Sequence, residues 1–190
     1  MRFDHFCAEE LETHDGYTFT LPSRLGRILQ EVETLYGKRD QSWALLGIEF
    51  GPGSPQLWYP RGLKNIVIQL ASNALDDTSL ACYQLAHECV HLLSPTGGNN
   101  APVFEEGVAT VFSEDYVKRT FGLEIPADLG SYSAAAALVR ELLLIDPQSI
   151  FKLRSVEPAF TLITEDTFKK AGVQAPSELI QQLLMPFQRT

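Results

Sequence analysis

One short motif carries most of the chemistry that this sequence offers. Residues 87–91 read His-Glu-Cys-Val-His, the pattern HExxH. Side chains four residues apart on a helix lie on one face, about 6 Å apart, so the two imidazoles can bind one Zn²⁺. Glu88 points about 100° away from His87 and can reach a metal-bound water without occupying a coordination position. The motif therefore predicts a zinc site with a general base beside it.

Chance is a poor explanation of this motif. Random placement of the four histidines and the glutamates gives about 0.007 expected matches to the pattern. Both histidines also lie in the segment 78–93, which is otherwise rich in Leu, Ala, Cys and Val and is predicted to be a buried helix. Burying a pair of ionisable groups costs free energy unless something binds them. Two hydrogen-bonded core histidines, with Glu88 in a salt bridge, are the weaker interpretation.

The site needs a further protein ligand, because catalytic zinc usually has three. The metzincin arrangement, with a third histidine six residues after His91, is excluded because Gly97 stands there. A cysteine ligand of the deformylase kind is disfavoured, since Cys7 lacks the glycine-containing setting and Cys82 lies more than a turn below His87. A carboxylate from a following helix is the remaining choice.

The segment 104–110, FEEGVAT, supplies such a carboxylate. Together with HECVH it resembles the gluzincin metallopeptidases, whose second helix carries a glutamate ligand in a segment of the N/E-E-G-x-A type. The resemblance implies a zincin-like fold and a zinc-dependent peptidase. It also implies that Glu106, directly before the glycine, is the ligand, with Glu105 as the second choice. Fourteen residues lie between His91 and Glu106, fewer than is usual in the aminopeptidase-like gluzincins.

Helix geometry gives modest support to Glu106. It shares a face with small residues that permit close approach to the HExxH helix, whereas Glu105 shares its face with the larger Val108 and Phe112. Gly107 costs about 1 kcal/mol relative to alanine inside a helix, so its presence predicts a close packing contact. The alternative is that both glutamates are ordinary first-turn acids favoured by the helix dipole.

The resemblance implies further roles around the metal. Glu88 is the expected general base, and a tyrosine is expected to stabilise the oxyanion, with Tyr116 and Tyr132 as candidates although either can be a packing residue. Glu114 or Asp115 is a candidate for orienting a histidine. In the family the strand before the HExxH helix is a sheet edge that pairs with the substrate. Here that edge corresponds to Asn65, Ile66, Val67, Ile68 and Gln69, unless the strand is internal.

Hydrophobic spacing predicts a single α+β domain over residues 1–190. A helix and a small mixed or antiparallel sheet occupy 1–75 and pack on the HExxH and glutamate helices of 76–190, followed by a helical C-terminal part. Strands are expected at 42–50 and 64–71, with a weak one at 17–21. Helices are expected at 23–36, 78–93, 103–121 and 131–145, and shorter ones near 148–154, 165–171 and 177–185.

Composition excludes several classes of function. The 190 residues have a formal charge of −9, which becomes −7 with one bound Zn²⁺, and there is no cluster of Lys or Arg. Nucleic acid and anionic membrane surfaces are therefore not expected partners. The charged N-terminus cannot be a signal peptide, no apolar run approaches the roughly 18–20 residues of a membrane span, and three cysteines suggest no disulfide framework. A cytoplasmic location is the resulting expectation.

These observations predict a small zinc peptidase that acts on peptides or proteins through a metal-activated water. One alternative is a catalytically inactive zincin-like protein that binds a partner or uses the ion structurally. Another is a zinc amidohydrolase that cleaves an amide other than a peptide bond. An intact set of His87, Glu88, His91 and Glu106 favours an enzyme, because a structural site has no use for Glu88 and usually takes a fourth protein ligand.

Overall fold

A computed structural model of the chain describes residues 21–60, 64–98, 100–127 and 129–190. None of the helices in these ranges is both long enough and apolar enough to cross a membrane. The weak strand predicted at 17–21 lies outside the described residues, apart from Leu21, which begins the first helix. The described residues contain seven α-helices, namely α1 (Leu21–Tyr36), α2 (Thr78–His91), α3 (Val103–Phe121), α4 (Gly130–Ile145), α5 (Ser149–Val156), α6 (Glu165–Ala171) and α7 (Ser177–Leu184).

The described strands form a mixed sheet in the order β1-β3-β2. The strands are β1 (Ala44–Gly51), β2 (Gln56–Trp58) and β3 (Asn65–Ala71). β1 runs parallel to β3, whereas β2 is antiparallel to it. Alternate residues of β3 are buried, as expected for a strand packed against helices. The α+β class with a small mixed sheet is thus confirmed.

The predicted edge position of residues Asn65 to Gln69 is wrong. β3 is the central strand, with β1 along one side, and its Val67, Ile68 and Gln69 pair with β2 on the other side. β2 escaped prediction because three residues are too few to display an alternating pattern, and prolines flank them at positions 55 and 60. The sheet edge on this side therefore belongs to β2.

α2 is the helix that holds the HExxH motif, and it is buried as predicted. Asp77 caps its first turn by accepting a hydrogen bond from the Leu80 amide (2.9 Å). Its Gln84 side chain accepts one from the amide of Ala71 (2.9 Å), which fixes the helix to the end of β3. Cys82 and Cys89 form no disulfide among the described residues and are fully buried, consistent with the role of small core residues.

α3 carries the two glutamates and packs between α2 and α4. Its bounds match the prediction of 103–121, and it ends at Gly122 in the left-handed conformation (φ 67°). The packing contact predicted for Gly107 is also present, but α4 is the partner. A Cβ atom at this position would lie 2.5 Å from the carbonyl oxygen of Ala135 and 2.6 Å from Cγ2 of Val139. The glycine thus allows α4 to lie directly against α3.

The close approach at Gly107 yields a test of this packing. We expect Gly107→Ala to lower the free energy of unfolding by about 1–3 kcal/mol, because the new methyl group overlaps α4. Gly26→Ala in α1 is the matched control, since nothing lies within 4 Å of its Cβ position. This control should raise stability by about 0.5–1 kcal/mol through helix propensity alone. Urea unfolding measures both, and equal stabilisation by the two substitutions would contradict the α3–α4 contact.

Candidate metal centre

α2 and α3 bring one carboxylate and two imidazoles together. Oε2 of Glu106 lies 3.2 Å from Nε2 of His87 and 3.6 Å from Nε2 of His91. The ligand atoms of all three residues lie within 4.8 Å of one another. Two atoms that each lie about 2.1 Å from a tetrahedral zinc ion are about 3.4 Å apart. The observed separations bracket this value, so the three residues fit a zinc ion with a fourth position left open.

Glu105 contacts the other nitrogen of the second histidine. Its Oε1 accepts a hydrogen bond from Nδ1–H of His91 (2.8 Å), and this bond leaves Nε2 as the nitrogen that faces Glu106. The side chain of Glu105 is buried, and its Oε2 has no hydrogen-bond partner among the described residues. A carboxylate in this position fixes the ring orientation and increases the basicity of a histidine ligand. Glu105 therefore orients His91, and Glu106 is the glutamate of the cluster.

The orienting role expected of Glu114 or Asp115 is wrong. Both carboxylates accept hydrogen bonds from Arg140, at 3.0 and 3.1 Å. Glu114 lies eight residues beyond Glu106, which is about 12 Å along the helix axis, so neither acid reaches the histidines. The carboxylate that contacts His91 belongs to Glu105, which precedes Glu106 in the sequence, whereas Glu114 and Asp115 follow it.

Burial and neighbouring charges shift the pKa values of this cluster in opposite directions. Burial alone would lower the pKa of His91, but Glu106 and Glu105 together raise it well above its usual value. Burial raises the pKa of Glu106, yet His91 and His87 outweigh burial and hold that pKa far below its ordinary range. Burial raises the pKa of Glu88, an effect that both histidines oppose. Three carboxylates beside two imidazoles form a site of excess negative potential, which suits a divalent cation.

A cavity of about 1030 Å³ opens beside the cluster. His87, Glu88, His91 and Glu106 all line it, although only 3% of Glu88 is exposed. Other parts of the lining come from β2 and the loop before it, from the loops after α2 and α3, and from the segment after α7. The cavity therefore has room for a substrate beside the cluster, and Glu88 borders the same space.

Tyr132, on α4, lies on the wall of this cavity beside His87. The two rings are 5.7 Å apart between centroids, and their planes meet at 74°. The phenol oxygen accepts hydrogen bonds from Nε (3.0 Å) and Nη2 (2.5 Å) of Arg189. Burial and the charge of Glu106 raise the pKa of Tyr132, so the phenol keeps its proton at neutral pH. With both bonds accepted from arginine, the O–H group remains available to donate into the cavity.

Tyr116, the other tyrosine proposed from the sequence, does not line the cavity. It is buried against Phe112, with ring centroids 6.2 Å apart, and has hydrogen bonds with Thr120 and Arg24. The ten residues that separate it from Glu106 correspond to about 15 Å along α3. We therefore correct its assignment to a core residue.

Two further residues, Tyr59 and Arg189, line the cavity. Tyr59 packs on Trp43, with ring centroids 5.2 Å apart, and has a hydrogen bond with the backbone of Gly97. Burial raises the pKa of Tyr59, which faces the charges of His91 and two glutamates. Neither residue belongs to a motif, and both are distant from residues 87–106 in sequence. Only the tertiary fold brings them to the site.

A scan against protein-family models and searches of the curated proteins and of the solved structures found no match to this chain. Its function is therefore inferred from the geometry of the site.

Proposed function

We propose that this protein is a zinc-dependent peptidase of the gluzincin type. The observation that carries the proposal is the convergence of His87, His91 and Glu106 at the wall of a cavity that Glu88 also lines. The donor set of two imidazole nitrogens and one carboxylate oxygen is one that catalytic zinc sites use. A zinc ion held there supplies a Lewis acid and lowers the pKa of a water molecule at its open position.

Glu88 is the proton carrier of the proposed reaction. It takes a proton from the attacking water and delivers it to the amine nitrogen as the C–N bond of the substrate breaks, while the water oxygen becomes part of the new carboxylate. Burial supports this role, because it raises the pKa of Glu88 above that of an ordinary surface glutamate and so makes the carboxylate a stronger proton acceptor. Glu105 does not contact the substrate but holds the ring of His91.

Tyr132 is the proposed donor to the oxyanion. The proton of its hydroxyl group is free to point into the cavity, since Arg189 supplies both hydrogen bonds that its oxygen accepts. A donor aimed at the carbonyl oxygen stabilises the transition state more than the bound substrate. Tyr132 thus takes the role for which the sequence offered two candidates.

The proposed substrate position is beside β2 instead of β3. β2 forms the sheet edge on this side, and its Gln56 and Leu57 line the cavity. An extended peptide can add to such an edge through backbone hydrogen bonds, which impose little side-chain preference. Because β2 has only three residues, this pairing fixes a short stretch of substrate.

Zinc binding tests the ligand set. We expect Glu106→Gln to weaken zinc binding more than Glu105→Gln, for which a loss of about ten- to hundredfold is typical of a residue that orients a ligand. Glu114→Gln, which changes the same residue type on the same helix, should bind zinc like the unmodified chain. Competition with a chromogenic chelator measures all four affinities. Zinc binding that is lost in the Glu105 variant and kept in the Glu106 variant would reverse the assignment.

The Glu88→Gln substitution separates an enzyme from a zinc-binding protein without activity. We expect this variant to bind zinc stoichiometrically and to lose peptide hydrolysis by a factor of at least about 10²–10⁴, because proton transfer is removed. Mass spectrometry of a mixed peptide library detects cleavage whatever sequence the enzyme prefers. Full activity of the variant would refute the role of Glu88, and no cleavage by the zinc-loaded unmodified protein would refute the peptidase proposal.

Tyr132→Phe tests the oxyanion donor. We expect kcat to fall about 10²–10³-fold with little change in KM, as when one oxyanion donor is removed elsewhere. Tyr116→Phe is the control, since it deletes the same hydroxyl group from a core position outside the cavity. Its kinetic constants should equal those of the unmodified protein once a substrate is known. Equal losses in the two variants would show that Tyr132 has no special role.

A further inference from the structure

Arg189 lies in a segment that is fastened across the helices of the site. The amide of Val103 donates to the carbonyl of Met185 (2.8 Å), and the amide of Phe187 donates to that of Ala101 (3.1 Å). Further along, the Thr190 amide donates to Oγ of Ser131 (3.2 Å), in the first turn of α4. The segment is therefore bound to the starts of α3 and α4 on both sides of Arg189, which fixes where the arginine can reach.

The guanidinium of Arg189 has more donors than it uses. Among the described residues Tyr132 is its partner, through two of its five N–H groups and through a ring contact 5.5 Å from Cζ to the centroid. No carboxylate of the described residues lies within 4.0 Å of it, although the chain has 24 acids and only 15 Lys and Arg. Its side chain is exposed and lines the cavity. Three N–H donors thus have no partner among the described residues and face a space that a ligand can enter.

Arg189 also differs in charge from the rest of the cavity. Among the described residues that line it, Arg189 is the one Lys or Arg side chain, whereas Glu88, Glu105 and Glu106 also border it. A planar guanidinium recognises a carboxylate through paired hydrogen bonds. A carboxylate that enters this cavity is repelled by the glutamates except near Arg189 and the metal position. The arrangement therefore selects where a negative group can bind.

The distance from Arg189 to the metal position limits which part of a substrate it can meet. Cζ of Arg189 lies 5.5 Å from the ring of Tyr132, which lies 5.7 Å from the ring of His87. The distance from Cζ of Arg189 to the ring centroid of His87 therefore cannot exceed the sum of these two lengths. One residue of extended peptide spans about 3.3–3.6 Å, so about three residues of substrate cover the length between Arg189 and His87.

We propose that Arg189 binds a carboxylate of the substrate within three residues of the cleaved peptide bond. This inference rests on the proposed peptidase function and adds a substrate class to it. The carboxylate is either the C-terminal group of a short peptide or an aspartate or glutamate side chain. The first source makes the enzyme cut near free C-termini, and the second makes it select acidic sequences. Arg189 thus has a role in binding that is separate from its contact with Tyr132.

Calorimetric titration of non-hydrolysing protein tests the proposal. The protein is zinc-loaded Glu88→Gln, and the probes are N-acetyl-tetraalanine as the free acid, its C-terminal amide, and amides with one aspartate at each position in turn. We expect at least one carboxylate probe to bind about tenfold tighter than the plain amide, the lower range for hydrogen bonds to charged groups. The free acid or an aspartate probe as the tightest ligand identifies the source of the carboxylate.

Variants of Arg189 distinguish its effect from that of the metal. Adding Arg189→Gln should reduce the carboxylate preference to less than about threefold, whereas Arg189→Lys should keep part of it because charge remains without the paired geometry. Arg140→Gln is the control, because it removes an arginine of α4 that does not line the cavity. This substitution should leave the carboxylate preference intact. Circular dichroism confirms that each variant is folded. The titration is repeated without zinc, where the preference should persist.

The outcomes separate this inference from the peptidase proposal. An equal preference with and without Arg189 would overturn the inference, because the carboxylate would then bind at the metal. The inference would also be overturned if the carboxylate probes bound no more tightly than the plain amide, or if none of the probes bound. Failure of the proposed function has a different readout, namely the absence of hydrolysis by unmodified zinc-loaded protein. Binding to Glu88→Gln does not depend on that result.

Discussion

Burial of ionisable groups between α2 and α3 is the constraint on which the rest of the structure depends. Glu88 and Glu105 are 3% and 4% exposed, and Glu106 with both histidines is largely covered. The N-terminus of α3 favours its two first-turn carboxylates by only about 0.3–1 kcal/mol each, far less than the cost of burying a charge. Mutual pairing offsets part of this cost, but within the described part of the chain Oε2 of Glu105 still has no partner. Binding of a divalent cation, which this donor set fits, would offset the rest of the cost of burying these charges.

Helix packing supplies the precision that such a cluster needs. α3 must approach α2 closely enough for Glu106 to reach both imidazoles, and Gly107 lets α4 approach from the other side. That second contact is what carries Tyr132 to the ring of His87. Arg154, on α5, binds the chain where α1 and α2 end. Its buried guanidinium, whose pKa burial lowers to about 10, donates to the backbone carbonyls of Tyr36, Gly37, Lys38, Leu93 and Pro158.

The predictions from the sequence succeeded where the structure depends on residues close together in the chain, and failed where it depends on contacts between distant segments. Helix periodicity, caps and breakers are local, and they gave the bounds of α3 and the ligand spacing of HExxH. The choice of Glu106 came from the resemblance of the segment 104–110 to the gluzincins, and the cluster in the structure contains this residue. The orienting role of Glu105 was not predictable, since it depends on which face of α3 meets His91 across the helix pair. β2 was too short to show a pattern, and its pairing with β3 changed which strand is the sheet edge.

Long-range pairing explains why Arg189, unlike the residues of the cluster, could not be assigned to the site from the sequence. The position of Arg189 depends on backbone hydrogen bonds that join Met185 and Phe187 to residues 101–103, more than 80 residues earlier. The composition shows that acidic residues outnumber basic ones. It gives no reason for an arginine to lack a carboxylate partner. In the folded chain the same arginine supplies positive charge to a cavity lined by glutamates. Its chemistry therefore becomes specific only where the fold places it, next to Tyr132 and within reach of the proposed metal.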